Sequence, residues 1–345
     1  MLNRVLVIGG GAAGMTGALE IAAKGYEACL VEKAEDIGGH AINYCCKAID
    51  KCNKCSACLV PQAKAEIGKK AGVTIYKNST VTEISGQAGN FKVNIQTPRN
   101  QVKLEVGAII VATGFTPFDI ANKRKEYGYG TNDRVITGLQ LEAAIRSKGS
   151  LGAAFGPVRN IGFVQCVGSR DLSLGNVYCS KVCCMYAVKL AKLIRSELPE
   201  VEVSVYYMDL QTFGRGFDRY MEEVRMDKKI RLIRGIPSKI YAFPNDRLTV
   251  KYADTLTGEV AKDKYDLVVL STAVTPGIDT AELASILGID LDEYGFFKAD
   301  PAEPIFTNRK GIYLAGTCQS PKDIQQSIMQ AKAAASKAIE MLSRG

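Results

Sequence analysis

The chain has 345 residues, enough for two domains with cores of their own, and its 47% hydrophobic content suits an ordinary globular protein. A net charge of +8 is spread without any long basic run, which argues against nucleic-acid binding. Eleven cysteines without a secretory signal argue against a disulfide framework and for metal ligands or redox thiols; with no early basic-then-apolar window, the expectation is a cytoplasmic protein without a membrane span.

The first element is a buried strand, Arg4 to Ile8, followed by Gly9-Gly-Gly-Ala-Ala-Gly14 and an alanine-rich helix to about Lys24 that Gly25 closes. A second apolar strand, Ala28 to Val31, ends in Glu32. This is the order of a dinucleotide-binding unit. Gly9 permits the tight turn, Gly11 lets backbone approach a pyrophosphate and Gly14 lets the helix pack closely, while the helix N-terminus favours phosphate charge and Glu32 accepts from ribose hydroxyls. Next comes a loop dense in thiols. Cys52, Cys55 and Cys58 form the C-x2-C-x2-C core of a bacterial ferredoxin motif, to which Cys45 or Cys46 would add a fourth ligand. The same loop also reads as a redox dithiol or as free thiols in basic surroundings. Cys29, inside a strand, and Cys318 read as small buried residues.

Two further apolar strands run into small-residue turns, Gly107 to Gly114 and Gly311 to Gly316. Together with Gly9 to Gly14, these resemble the three sequence marks of FAD-binding proteins of the thioredoxin reductase and glutathione reductase superfamily. The resemblance implies FAD contacts at Gly9, Gly11, Ala12, Ala13, Gly14, Glu32, Lys33, Gly39, His40, Ala41, Val81, Ala112, Thr113, Gly114, Gly316, Thr317 and Ile324. Thr317 departs from the pattern, since the superfamily usually has Asp there; a hydroxyl still bonds a ribityl chain, less strongly. Ser320 is expected to cap a following helix with Pro321 in its first turn, and the superfamily aims that helix at the flavin.

Between the flavin halves the chain reads as a second α/β unit: strand Asn160 to Gln165, helix to about Ser196, strand Glu202 to Tyr207 and strand Asp266 to Leu270. The expected class is α/β, with two Rossmann-like domains of thioredoxin reductase type, the second inserted into the first. Residues 1–148 and 289–345 form the FAD domain and 149–288 the insert. After Gln165 a nicotinamide site needs a second glycine fingerprint, and the chain instead reads Cys166-Val-Gly-Ser-Arg-Asp171, so NAD(P)H binding is disfavoured in this half. Tyr178-Cys-Ser-Lys-Val-Cys-Cys184 follows, with its three cysteines expected to open a helix, Cys179 and Cys183 on one face, and Cys166 closing a tetrahedral set. Four thiolates without a nearby histidine suit an iron–sulfur cluster, structural zinc or buried structural cysteines; a neighbouring flavin favours [4Fe–4S].

Four segments, Gln165 to Asp171, Tyr178 to Tyr186, Tyr207 to Gly214 and Leu314 to Ile324, resemble the HdrA family, the A-type subunits of heterodisulfide reductase, with a likeness that covers nearly the whole chain. The resemblance implies FAD, a [4Fe–4S] cluster on Cys166, Cys179, Cys183 and Cys184, homodimerisation, and partnership with B- and C-type subunits that handle thiols or disulfides. The long methanogen forms add ferredoxin-like domains; this chain is similar to the short flavin core of sulfur oxidisers. In the second thiol loop the match covers only Cys55 to Cys58, leaving Cys46 and Cys52 as ligand candidates on spacing alone. The expected function is an FAD- and cluster-containing electron-transfer subunit in thiol and disulfide sulfur metabolism. The alternatives are a stand-alone NAD(P)H-dependent disulfide reductase using the Cys45 to Cys58 thiols, and a non-enzymatic assembly or nucleic-acid-binding flavoprotein. The single histidine, His40, and the missing second glycine fingerprint count against the disulfide reductase.

Overall fold

The computed structural model describes residues 2–243 and 247–344; the expected domain ends at Met1 and Gly345 lie outside the described residues. The chain forms two compact units, one from Met1–Ile42, Ser56–Thr116 and Thr275–Gly345, the other from Asn43–Cys55 and Pro117–Val274. Among the described residues no helix is long and apolar enough to cross a membrane.

The first unit is built on a five-stranded parallel sheet in the order Ile312–Leu314, Ala108–Val111, Arg4–Ile8, Glu27–Val31, Val73–Tyr76. Val5, Leu6 and Val7 are wholly buried, as an apolar run covered on both faces must be. Val5 and Val7 pack with Met15, Ala18 and Ile21 of helix Ala12–Ala23 and with Ala331, Ala334 and Ala338 of helix Ile324–Arg344. Leu6 and Ile8 face the other way, onto Phe91, Val93 and Ile95 of an antiparallel meander formed by Thr80–Gln87, Asn90–Gln96 and Gln101–Val106. Alternation along one strand therefore sends helices to one face and a small sheet to the other.

The second unit repeats the plan. Its parallel sheet runs Ile230–Arg234, Glu202–Tyr207, Asn160–Val167, Leu267–Thr272, Val135–Thr137. Ile161, Phe163 and Val269 face helix Cys183–Glu197 through Ala187, Val188 and Ile194, while Val164, Val268 and Leu270 face the meander Lys239–Tyr241, Leu248–Ala253, Val260–Tyr265. Neither meander is among the elements expected from sequence. The units change over at Thr116/Pro117 and Val274/Thr275. Strand Val135–Thr137, with the helix Gly138–Lys148 that Thr137 and Gln140 cap reciprocally, lies in the second unit because Val135 pairs with Val268. Helix Thr280–Leu287 lies in the first because Leu283, Ala284 and Leu287 fill its core. The sequence-based limits at 148/149 and 288/289 fall after these elements.

The thiol loop Asn43–Cys55 belongs to the second unit through a buried ion pair. Lys47 and Glu142 are paired with side chains only 3% and 5% exposed, and Lys47 Nζ also donates to the Cys45 carbonyl at 3.3 Å. Burial pushes the Glu142 carboxyl up, against the pull of Lys47. Removing one partner leaves the other buried without compensation, which is far costlier than replacing both. Glu142→Ala is therefore expected to destabilise the protein by about 3–5 kcal/mol in urea denaturation, with Lys47→Met/Glu142→Leu recovering most of the loss. A cost under about 1 kcal/mol for Glu142→Ala, the value of an exposed pair, contradicts the assignment.

Candidate functional site

The first unit carries a dinucleotide cradle at the end of its first strand. The neighbours of Arg4–Ile8 diverge here, Glu27–Val31 on one side and Ala108–Val111 on the other, which leaves a crevice at the strand ends. Gly9 has φ +105°, and a Cβ on it would lie 2.4 Å from the Ala112 carbonyl oxygen; a Cβ on Gly14 would lie 1.8 Å from the Gly9 carbonyl oxygen. Gly11 is different, since a Cβ there meets nothing within 4 Å. It forms the open side of the loop and precedes helix Ala12–Ala23 without any side-chain cap, so the first helical N–H groups keep their capacity to donate. Gly39 closes in from another loop, with its Cβ position 3.1 Å from Gly11 Cα. Glu32 accepts from Gly10 N–H at 2.6 Å and from Ala34 N–H at 2.7 Å. Its carboxylate thus holds the loop itself, a role the sequence reading did not give it, with a second lone pair on each oxygen remaining.

The distant marks converge on the same unit. The Cβ position of Gly114 lies 3.9 Å from Thr317 Oγ1, and that of Gly316 lies 3.0 Å from Ala13 Cβ. Thr113 Oγ1 is buried with no hydrogen-bond partner, the signature of a polar group whose partner is a ligand or water. His40 Nε2 lies 3.1 Å from the Phe115 carbonyl oxygen and its ring packs on Phe115 at 4.7 Å. Lys33 pairs with Asp279 at 2.9 Å, Ala41 packs at the edge of the core, and Val81 has its side chain in the core beside the meander. The expected Ser320 cap is corrected: helix Ile324–Arg344 starts later, where Gln326 N–H donates to Asp323 Oδ1 at 2.7 Å and Gln326 Oε1 accepts from Asp323 N–H at 3.3 Å. Asp323 is engaged reciprocally with Gln326, and so does not pair back to Ser320. Cys29 and Cys318 are buried, and burial pushes the Cys318 thiol up to about 11.

In the second unit the corresponding strand end carries sulfur. The pairing of Asn160–Val167 with Leu267–Thr272 shifts register between Val164 and Val167, and Cys166 sits in this bulge at φ +57°. A bulge re-aims side chains, and a left-handed non-glycine residue costs energy, so the turn that swings Cys166 out of the strand alternation is strained. Gly168 follows at φ +85°, where a Cβ would lie 2.3 Å from the Phe118 ring. The expectation that Cys179 and Cys183 share a helix face is corrected. The helix begins at Cys183; Lys181 is left-handed at φ +67°, and its N–H turns back to Cys179 Sγ at 3.2 Å. Cys183 and Cys184 are buried at the helix start, Cys166 is half-buried and Cys179 exposed. Burial, then Cys184, pushes the Cys166 thiol up to about 11, opposed by Arg170. Burial, then Cys166, Cys184 and Cys179, also raises Cys183. The four thiols are therefore electrostatic neighbours, although among the described residues no three His, Cys, Asp or Glu groups stand as a ready-made metal site. Their chemistry fits a thiophilic metal centre: ionisation of Cys166, Cys183 and Cys184 is opposed by burial and by neighbouring sulfur, which positive charge between them would offset.

The second thiol loop is divided. Cys46, Cys52 and Cys55 lie in the second unit and Cys58 in the first, just before helix Leu59–Ile67. Cys45 is buried with Sγ 3.9 Å from Glu142 Oε2, and burial pushes its thiol up to about 12; Cys46, Cys52 and Cys58 are exposed. Lys54, left-handed at φ +51°, donates its N–H to Cys52 Sγ at 3.3 Å, the same local turn as Lys181 and Cys179. The sequence reading also missed the Lys47–Glu142 pair, the Arg170–Asp209 ion pair at 2.6 Å beside the thiols, and the buried Gln165. Only Gln165 had a signal, a polar residue ending an apolar central strand.

The model of the pyridine nucleotide-disulphide oxidoreductase family matches residues 3–338. The second A-type iron-sulfur subunit of the CoB–CoM heterodisulfide reductase of Methanopyrus kandleri is 35% identical over 99% of this chain and 65% of its own length. The A-type subunit of the H2:CoB–CoM heterodisulfide, ferredoxin reductase of Methanothermobacter thermautotrophicus is 32% identical over 99% of this chain and 64% of its own. The chain thus spans somewhat less than two thirds of these relatives. Thioredoxin reductase of Lactococcus lactis superposes with a TM-score of 0.67 at 20% identity, covering 99% of both chains, and shows the same fold of two Rossmann-like domains. The chain is an oxidoreductase that belongs to the pyridine nucleotide-disulphide oxidoreductase family, on the branch resembling the A-type subunits of heterodisulfide reductase.

Proposed function

We propose that this chain is the flavin-bearing electron-transfer subunit of a heterodisulfide reductase-like complex, holding FAD in its first unit and a [4Fe–4S] cluster on Cys166, Cys179, Cys183 and Cys184 in its second. The observation that carries the reading is the bulged, left-handed Cys166 at the strand end where a nicotinamide-binding unit needs a glycine loop. FAD held there would supply both two-electron and one-electron redox chemistry and a cluster one-electron chemistry alone, so the two together would couple a two-electron event to single-electron steps. The protein's own part is to bind and orient. The N–H groups after Gly11 receive the pyrophosphate, Glu32 fixes their loop, and Thr113 and Thr317 offer hydroxyls to the cofactor. Arg170 supplies positive charge beside the thiolates, and the start of helix Cys183–Glu197 adds its N-terminal dipole.

Thiol and disulfide chemistry belongs in this reading to B- and C-type partner subunits, with the chain a cytoplasmic homodimer. Cys46, Cys52 and Cys55 of the second unit offer ligands to a second cluster, and the Lys54 turn at Cys52 supports it. Reading the same loop as the dithiol of a stand-alone NAD(P)H-dependent reductase is weakened by the seclusion of Cys45.

Anaerobically purified protein is expected to contain about four irons and four acid-labile sulfides per FAD if the Cys166 group alone is loaded, and about eight of each if both groups are. Cys184→Ser is expected to keep FAD and lose about four irons; iron unchanged in that variant moves the cluster elsewhere. Gly14→Val, whose Cβ falls 1.8 Å from the Gly9 carbonyl oxygen, is expected to lose most FAD and keep its iron. Retention of both by Gly14→Val contradicts the cradle.

A further inference from the structure

Gln165 occupies a place where chemistry favours a hydrocarbon. It lies in the central strand of the second unit's sheet, is 0% exposed, and neither its amide nitrogen nor its amide oxygen has a hydrogen-bond partner. A buried amide without a partner keeps its full desolvation cost, and native chains keep few of them. Leucine or methionine would fill the same volume without that cost.

Its position says what the partner is. Side chains along the strand alternate: Ile161 and Phe163 face helix Cys183–Glu197, Val164 the opposite meander, so Gln165 falls on the helix side. The register shift begins immediately after Val164, and Cys166 turns left-handed out of the strand. Gln165 is thus the first residue past the last regular pair, in the sheet covered by the helix that Cys183 opens, and is bonded directly to Cys166. Ser169, on the same turn, is 1% exposed and its hydroxyl is also partnerless. Thiolate and sulfide sulfurs only accept hydrogen bonds, and the amide of Gln165 has two N–H groups to donate.

We propose that Gln165 is a tuning residue for the four-cysteine centre, donating its amide N–H to sulfur and so raising the reduction potential of the cluster held there. The inference rests on the proposed cluster at Cys166, Cys179, Cys183 and Cys184. A donor to sulfur withdraws negative charge and favours the reduced, more negative state; without it the potential falls. Gln165→Met keeps the volume and removes the donors. Gln165→Glu keeps the shape and, at a pH where the buried carboxyl is ionised, adds negative charge and has no donor.

The test is a redox titration of the anaerobically prepared holoprotein, followed by electron paramagnetic resonance, with iron and FAD content measured on the same samples. The expected midpoints descend from wild type to Gln165→Met to Gln165→Glu, the methionine step changing the reduced-to-oxidised ratio at fixed potential by threefold to tenfold, tenfold being ~59 mV for one electron. Iron retained with midpoints unmoved overturns the inference and means that water satisfies the amide. If Gln165→Met loses iron, the Gln165→Glu midpoint decides; loss of iron by both variants with FAD retained also overturns it, since the role is then structural. Wild-type protein without iron sinks the underlying cluster reading instead.

Discussion

Everything functional in this chain hangs on the end of a parallel strand whose two neighbours continue in opposite directions. The geometry opens a crevice there and leaves the residues after the strand free of the ladder. In the first unit the strand Arg4–Ile8 runs out into Gly9, Gly11 and Gly14, and the absence of side chains lets a phosphate approach backbone donors. In the second unit the strand Asn160–Val167, flanked by Glu202–Tyr207 and Leu267–Thr272, runs out into Cys166. One architecture with two terminal residues presents two kinds of surface: open backbone donors in the first unit and a strained thiol in the second.

The second choice has an electrostatic consequence. Cys166, Cys183 and Cys184 are pushed towards their neutral form by burial and by neighbouring sulfur, while Arg170 pulls Cys166 and Cys184 the other way. A cationic inorganic core reverses that balance, because thiolates that repel each other are drawn together by the charge between them. The backbone is prepared for sulfur in another way, through left-handed lysines that return their N–H to a preceding cysteine at both thiol groups.

Much of this was legible in the sequence. The glycine spacing identified the cradle because each glycine answers a contact that a Cβ would violate, and such constraints survive in one dimension. The cysteines at 166, 179, 183 and 184 stood out as a group by residue type and spacing, and the fold brings Cys166, Cys179 and Cys184 near enough to Cys183 to act on its thiol. What escaped depends on tertiary structure. Cys179 seemed helical by spacing, but one left-handed Lys181 broke the helix. Ser320 seemed a cap, but Asp323 had the better partner in Gln326. Lys47 and Glu142 are 95 positions apart, and no local pattern announces such a pair. The meanders were hidden because half their residues face solvent and their alternation is short.

The central claim is that inorganic iron lies among Cys166, Cys179, Cys183 and Cys184. Anomalous diffraction at the iron K edge, from crystals grown without oxygen, addresses it directly. The account predicts a strong iron peak within bonding distance of those four sulfurs. Density there that scatters anomalously only at the zinc edge, or thiols with no metal between them, would contradict it.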